Sequence, residues 1–330
     1  MTAAALIDRF GRVHTDLRVS VIDRCNLRCT YCMPAEGVEW LPKPHLLTTD
    51  ELIRIVSVAV SAGITDVRLT GGEPLLRPDM VDIVAALNSL PKPPRISMTT
   101  NGMRLAEVAQ DLVDAGMQRV NVSLDTLDPE RFRAITRRDG VEAVVAGVAA
   151  AVGAGMTPVK INAVLMRGVN DDEGPELLKW AMDAGAQLRF IEQMPLDAQH
   201  AWRRDEMVTT AEVMSTLERH FVLEPVPHDP HDPAVCYTVD GGPATVGFVS
   251  SVSVPFCGAC DRVRLTADGQ FRNCLFAHAE TDLRTPLREG ASDDELLVLM
   301  MGSVDEKAPG HGIDEPDFLQ PPRPMSAIGG

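Results

Sequence analysis

The chain is 330 residues long, 45% hydrophobic and 24% charged, a composition normal for a folded protein and a length beyond one small domain. Its 47 acidic side chains against 31 basic ones leave a formal net charge of −16, which excludes an extended phosphate polymer as partner unless the cations are gathered in one place. With two tyrosines and three tryptophans it lacks a base-stacking surface, and nowhere do about 18 uncharged apolar residues run together, so neither nucleic acid nor membrane is expected and a soluble, cytoplasmic protein is.

In chain order, short β-branched runs at residues 17–22, 66–70, 95–100, 119–124, 158–165 and 187–191 predict strands. Helical patterns near 49–62, 78–88, 104–115, 140–154 and 173–184 separate them, the first opened by a Thr48/Glu51 capping box. Six βα units predict a parallel sheet with crossover helices, two units short of a closed barrel. Within the strands, Val19 and Val21 alternate with Arg18 and Ser20, Val67 and Leu69 with Arg68 and Thr70, and Val159 and Ile161 with Lys160 and Asn162. A closed barrel fills its interior with apolar side chains and a doubly wound sheet buries both faces. A polar face therefore predicts an incomplete (β/α)6 barrel of the triosephosphate-isomerase type with a wet, ligand-holding interior. An antiparallel sheet with one solvated face is the competing arrangement, and it would not need the intervening helices.

Beyond about residue 220 the character changes, which divides the chain into a barrel unit at 1–220 and a C-terminal extension at 221–330. The extension holds a Pro/His-rich linker at 225–233, hairpin turns at Asp240-Gly241-Gly242 and Asp268-Gly269, and helical patterns near 282–288 and 291–302. The last 25 residues are rich in Pro and Gly, which predicts a disordered tail.

Six of the seven cysteines form two tight groups far apart in sequence, a pattern of metal or redox work rather than of a disulfide framework. Cys25, Cys29 and Cys32 follow the first strand, at the strand end where such barrels place their chemistry. Three thiolates at this spacing can wrap one side of a cubane iron–sulfur cluster and leave one iron open to a ligand. Zinc would need a fourth ligand, and the nearest candidate, His45, lies 13 residues past Cys32. Cys257, Cys260 and Cys274 form the second set, and here a zinc site completed by His278 or Cys236 is equally drawable. Arg262 and Arg264, projecting from one face of a strand-like run beside two of these ligands, favour an open-iron cluster next to a polyanion.

The spacing Cys-x3-Cys-x-Tyr-Cys at 25–32, followed by Thr70-Gly71-Gly72-Glu73-Pro74, resembles the radical S-adenosylmethionine enzymes. With TTNG at 99–102, NVSLD at 121–125, VKINAVLM at 159–166, RFIEQMP at 189–195, FCGACDRVRLTADG at 256–269 and the terminal SAIGG, the chain is similar to the GTP 3′,8-cyclases of molybdenum cofactor biosynthesis. The resemblance implies two [4Fe–4S] clusters, one on Cys25, Cys29 and Cys32 and the other on Cys257, Cys260 and Cys274. It implies that Tyr31, Gly72, Ser123 and Met194 line S-adenosylmethionine. It further implies that Arg18, Arg68, Thr99, Lys160, Arg189, Arg262, Val263 and Arg264 contact GTP, and that Arg262, Arg264 and the terminal Gly329 and Gly330 serve catalysis.

The activity implied is conversion of GTP to (8S)-3′,8-cyclo-7,8-dihydroguanosine 5′-triphosphate. It implies an external electron donor and a cyclic pyranopterin monophosphate synthase to take the product, in a monomer or homodimer. The alternative activity is that of another two-cluster radical enzyme, one that modifies a peptide or inserts sulfur.

Overall fold

The computed structural model describes residues 5–315 and 317–329. The first part of the chain alternates strand and helix: β1 (Asp16–Ser20), α1 (Thr49–Ser61), β2 (Asp66–Thr70), α2 (Met80–Asn88), β3 (Arg95–Thr100), α3 (Leu105–Asp114), β4 (Arg119–Ser123), α4 (Pro129–Thr136), α5 (Val141–Gly153), β5 (Val159–Ala163), α6 (Gly174–Asp183) and β6 (Gln187–Ile191). Each of these strands pairs in parallel with the next in sequence, as the alternating pattern predicts. The Thr48/Glu51 capping box forms at the start of α1.

The remaining elements are α7 (Thr210–Leu217), β7 (Leu223–Pro225), β8 (Val235–Val239), β9 (Thr245–Val249), β10 (Arg262–Leu265), β11 (Gln270–Arg272), β12 (Thr281–Asp282), α8 (Arg284–Arg288), α9 (Asp293–Asp305) and α10 (Met325–Ile328). β10 pairs in parallel with β1, and β9 in parallel with β6. One twelve-stranded sheet results, in the order β12-β11-β10-β1-β2-β3-β4-β5-β6-β9-β8-β7. The segment after residue 220 thus extends the barrel sheet at both edges.

One face of the sheet is the apolar half of the predicted alternation. Leu17, Val19, Val67, Leu69, Ile96, Met98, Val120 and Val122 are all buried in a core shared with the flanking helices. Each such side chain contributes about 1.5–3 kcal/mol on leaving water. The other face carries Arg18, Arg68, Lys160, Arg189, Arg262 and Arg264, and it points away from that core.

Two elements depart from expectation. α4 is a helix with no apolar run to announce it, although its start is signalled by Asp128, whose carboxylate accepts from the Glu130 and Arg131 amides, and by Pro129 in the first turn. The C-terminal segment is ordered where its composition predicts disorder. Arg323 makes two 2.9 Å bonds to the Asp268 carboxylate and one of 2.9 Å to Glu280, and Ile328 packs with Leu196 and Phe276. Composition registers the prolines and glycines but not these partners, which lie far away in sequence. Gly330 lies outside the described residues.

Candidate functional site

Strand register builds the site from one side. Arg264 on β10, Arg18 on β1 and Arg68 on β2 are direct cross-strand neighbours. Like charges placed opposite one another destabilise a sheet, so this row calls for an anion. Buried nitrogens of the group make no hydrogen bond: Nε of Arg18, Nε of Arg68, and Nε and Nη2 of Arg262. Burial, then Arg68 and Arg264, push the Arg18 guanidinium well below its usual range. Asp16 is the acid among them; burial raises its pKa, and the surrounding arginines, Arg68 foremost, more than reverse this. From the other flank, Arg189 reaches Asp232 at 3.4 Å, and Lys160 is brought down to about 8 by burial and then by Arg189.

The first cysteine loop enters from above the strands. It is fixed by close backbone contact with the Gly71-Gly72 turn: the Gly72 amide donates to the Ile22 carbonyl at 2.8 Å, and a Cβ on Gly72 would sit 2.3 Å from the Arg24 carbonyl oxygen. Buried Glu73 ties the turn to the end of β3, accepting from the Thr100 hydroxyl and the Asn101 amide at 2.7 Å each. Cys25, Cys29 and Cys32 line one cavity of about 310 Å³ together with Arg18, Arg68, Arg189, Arg262 and Arg264. Tyr31, Gly72, Thr99, Ser123 and Met194 line the same cavity. Burial pushes the Cys25 thiol up to about 11 and Cys32 to about 12, so these sulfurs become thiolates only against a positive centre.

The second group flanks β10. Cys257 and Cys260 precede it and Cys274 follows β11; Cys257 lies close enough to feel the charges of Cys274 and Cys260. Phe256 and Leu275, next to these ligands in sequence, line the cavity. Burial raises Cys260, but Arg262 and Lys307 outweigh it, and its thiol is lowered overall. The two candidates for a fourth zinc ligand turn elsewhere. His278 Nε2 meets the Leu319 carbonyl at 3.1 Å, and Cys236 on β8 faces Arg189, Asp232 and Lys160. Two sets of three soft sulfur donors, the first lining the cation-lined cavity and the second next in sequence to residues that line it, suit iron–sulfur clusters with an open iron.

Residues 19–181 match the Radical SAM superfamily, and residues 186–313 match Molybdenum Cofactor Synthesis C. The chain is 56% identical to a GTP 3′,8-cyclase of Streptomyces coelicolor over 99% of this chain and 97% of that one. It is 52% identical to a GTP 3′,8-cyclase of Corynebacterium glutamicum (strain R) over 98% of this chain and 89% of the relative. The chain belongs to the GTP 3′,8-cyclase family of radical S-adenosylmethionine enzymes. Among solved structures, Streptococcus suis SuiB bound to S-adenosylmethionine superposes with a TM-score of 0.58 at 12% identity, covering 82% of this chain and 62% of that one. That likeness shows the fold, a partial barrel with a C-terminal extension. Identity along the whole length sets aside the peptide-modifying and sulfur-inserting alternatives.

The structure adds to what the family implies. Val263 turns its side chain to the opposite face, fully buried in the core, so only its main chain is open to a ligand. Lys160 does not line the cavity but stands behind Arg189. Gly329 reaches the arginine row, its carbonyl accepting from Arg264. A Cβ there would lie 2.5 Å from the Thr70 hydroxyl oxygen and 2.8 Å from the Ser20 Cβ, and φ is +83°, so the position admits glycine alone. Asp125 is a cavity residue missing from the sequence expectations. Its carboxylate accepts from the Tyr31 hydroxyl at 2.7 Å and the Val164 amide at 2.9 Å, and burial raises it to about 6. Its place at the polar end of the β4 alternation was the available signal. Among the described residues, no helix is long and apolar enough to cross a membrane.

Proposed function

We propose that this chain carries out the GTP 3′,8-cyclase reaction in the one cavity shared by the first cysteine loop and the arginine row. The observation that carries the assignment is the Arg264, Arg18 and Arg68 row, in which the buried Nε atoms of Arg18 and Arg68 have no partner, facing the same space as Cys25, Cys29 and Cys32. A nucleoside triphosphate supplies the anion that this row lacks, and guanidinium forks suit its phosphate oxygens.

Cys25, Cys29 and Cys32 would hold one [4Fe–4S] cluster and Cys257, Cys260 and Cys274 another. When bound, the first cluster with S-adenosylmethionine would supply one-electron radical chemistry at the ribose, and the second would supply a Lewis-acidic site for the purine. The chain's own part is positioning. Tyr31, Gly72, Ser123 and Met194 line the cavity, and S-adenosylmethionine would lie among them. Arg18, Arg68, Thr99, Arg189, Arg262, Arg264 and the Val263 main chain would hold GTP across the sheet, and Lys160, outside the cavity lining, would add its charge beside Arg189. Binding energy spent on the triphosphate fixes the ribose and base for a reaction between its 3′ carbon and C8.

Gly329 on Arg264 lets the C-terminal segment close the cavity, which excludes water and reductant from the reactive carbon. Gly330 would continue that segment. The two units at 1–220 and 221–330 each bring one cluster. An external one-electron donor, transfer of the product to a cyclic pyranopterin monophosphate synthase, a monomeric or homodimeric state and a cytoplasmic setting complete this reading.

The test is anaerobic: reconstituted protein, GTP, S-adenosylmethionine and a reductant, with product identified by mass spectrometry. Stoichiometric 5′-deoxyadenosine and a cyclised triphosphate with the C3′–C8 bond are expected. Iron near zero, or no GTP-dependent 5′-deoxyadenosine at about eight irons per chain, would sink the proposal.

A further inference from the structure

Lys307, just past the end of α9, is buried to 3% exposure beside the second cysteine group. Its ammonium meets the Arg262 carbonyl at 2.8 Å, His14 Nε2 at 2.9 Å, the Cys260 carbonyl at 3.3 Å and Cys260 Sγ at 3.6 Å. His14 is fully buried with Nδ1 placed on the Leu6 carbonyl at 3.3 Å; with the proton on that nitrogen, Nε2 accepts from Lys307, and the Asp8 carboxylate 3.8 Å from the same Nε2 is already paired with Arg12. Two carbonyls and a neutral imidazole satisfy the donors of an ammonium but not its charge. A buried cation costs several kcal/mol unless an anion faces it. Of the four partners, only the Cys260 sulfur can carry a full negative charge. A glutamine would tie the same backbone groups, so tying them does not account for a lysine.

We propose that Lys307 is a positioning residue for the second cluster: it holds the Cys260 sulfur in place as a ligand, and its charge favours the reduced cluster. This rests on Cys257, Cys260 and Cys274 being cluster ligands. Hydrogen bonds and positive charge at a ligating sulfur stabilise the extra electron of the reduced state and raise the reduction potential. Because the same ammonium holds the Arg262 carbonyl, it also links the ligand to the strand that carries Arg262 and Arg264.

The test uses full-length chain with Cys25→Ala, Cys29→Ala and Cys32→Ala, so that only the second site loads, reconstituted anaerobically with iron and sulfide. Iron and sulfide content are measured, and a redox titration with dithionite as one-electron donor is followed by electron paramagnetic resonance. This parent is compared with the same protein bearing Lys307→Arg, Lys307→Gln or Lys307→Met. About four irons are expected in the parent. Lys307→Met and Lys307→Gln should shift the reduction equilibrium at least tenfold toward the oxidised cluster, about 59 mV lower for one electron. Alternatively, they should lose iron that Lys307→Arg retains.

Lys307→Arg keeps the charge and should stay near the parent. A potential and an iron content common to all four proteins would overturn the proposal. If Lys307→Met does not fold, the Gln and Arg variants carry the same comparison. A parent without iron would overturn the cluster reading itself, and this is seen before any substitution at Lys307.

Discussion

The two cysteine groups are set around one cavity by different means. Cys25, Cys29 and Cys32 sit in eight residues on one loop, locked by a glycine turn whose backbone touches theirs, and burial leaves the sulfurs as neutral thiols. Cys257, Cys260 and Cys274 are spread along a strand hairpin, and Arg262 and Lys307 bring Cys260 down instead. The first site is built by close packing, and its charge must come with the metal. The second has cations of the chain beside Cys260, and those cations continue into the arginine row that lines the cavity. The contrast matches the proposed division of labour, in which the first loop would present S-adenosylmethionine and the second group, with its arginines, the substrate.

Removing one ligand from each group is the strongest test of that division. Cys29→Ala should abolish both 5′-deoxyadenosine formation and cyclisation and leave about half the iron, roughly four per chain. Cys274→Ala should also lose the cyclised product while reduced protein still cleaves S-adenosylmethionine. Equal loss of cleavage in both variants would erase the distinction. A smaller effect is expected from Arg264→Ala. Losing a charge-assisted contact costs about 1.5–3 kcal/mol, or roughly 10- to 160-fold in GTP affinity, while S-adenosylmethionine affinity stays within about twofold. Isothermal titration with each ligand separates the two, and unchanged GTP affinity would remove Arg264 from the substrate side.

Much of this was legible in sequence because it is local or periodic. The period-2 alternation of Arg18 with Val19 and of Arg68 with Leu69 already separates a core face from a cavity face, and Cys25 to Cys32 share one loop. Sequence could not show which strands would be neighbours beyond the βα order. That β10 lies against β1, and so sets Arg264 beside Arg18, is a contact across almost 250 residues of chain. The ordered tail was missed for the same reason, since Arg323 finds Asp268 only in three dimensions. Lys307 was invisible as well: a lone lysine after a helix reads as a surface charge until its burial is known.

A gentler effect follows from Lys160, set behind Arg189 on the substrate side. Its folded pKa of about 8 lies below the usual 10.5, from burial first and Arg189 second. The folded chain therefore binds fewer protons than the unfolded one between about 8 and 10.5, and the cost of holding this cation is full below 8 and relieved as pH rises through that window. Phosphate binding needs the charged form. GTP affinity should weaken as pH rises through about 8 and GTP binding should take up protons near that pH, whereas Lys160→Gln should bind more weakly with a flat profile there. Parallel profiles in the two proteins would place the titration elsewhere.

The least effect is expected from the seventh cysteine, and it bears on the zinc arrangement that spacing alone left open. Cys236 lies on β8 with its sulfur 3.7 Å from the Ala234 carbonyl, and the charges that act on it are those of Arg189, Asp232 and Lys160 rather than of any other thiol. His278 is exposed and engaged with Leu319. A fourth ligand from either would have to leave its present partner and close the iron that the substrate is to use. Cys236→Ser and His278→Gln should therefore keep the parent's iron and sulfide content and its GTP turnover within about twofold, a surface-level change. Loss of iron from the second site in either variant would mean that this cluster has four protein ligands, and guanine would then have no open iron to meet.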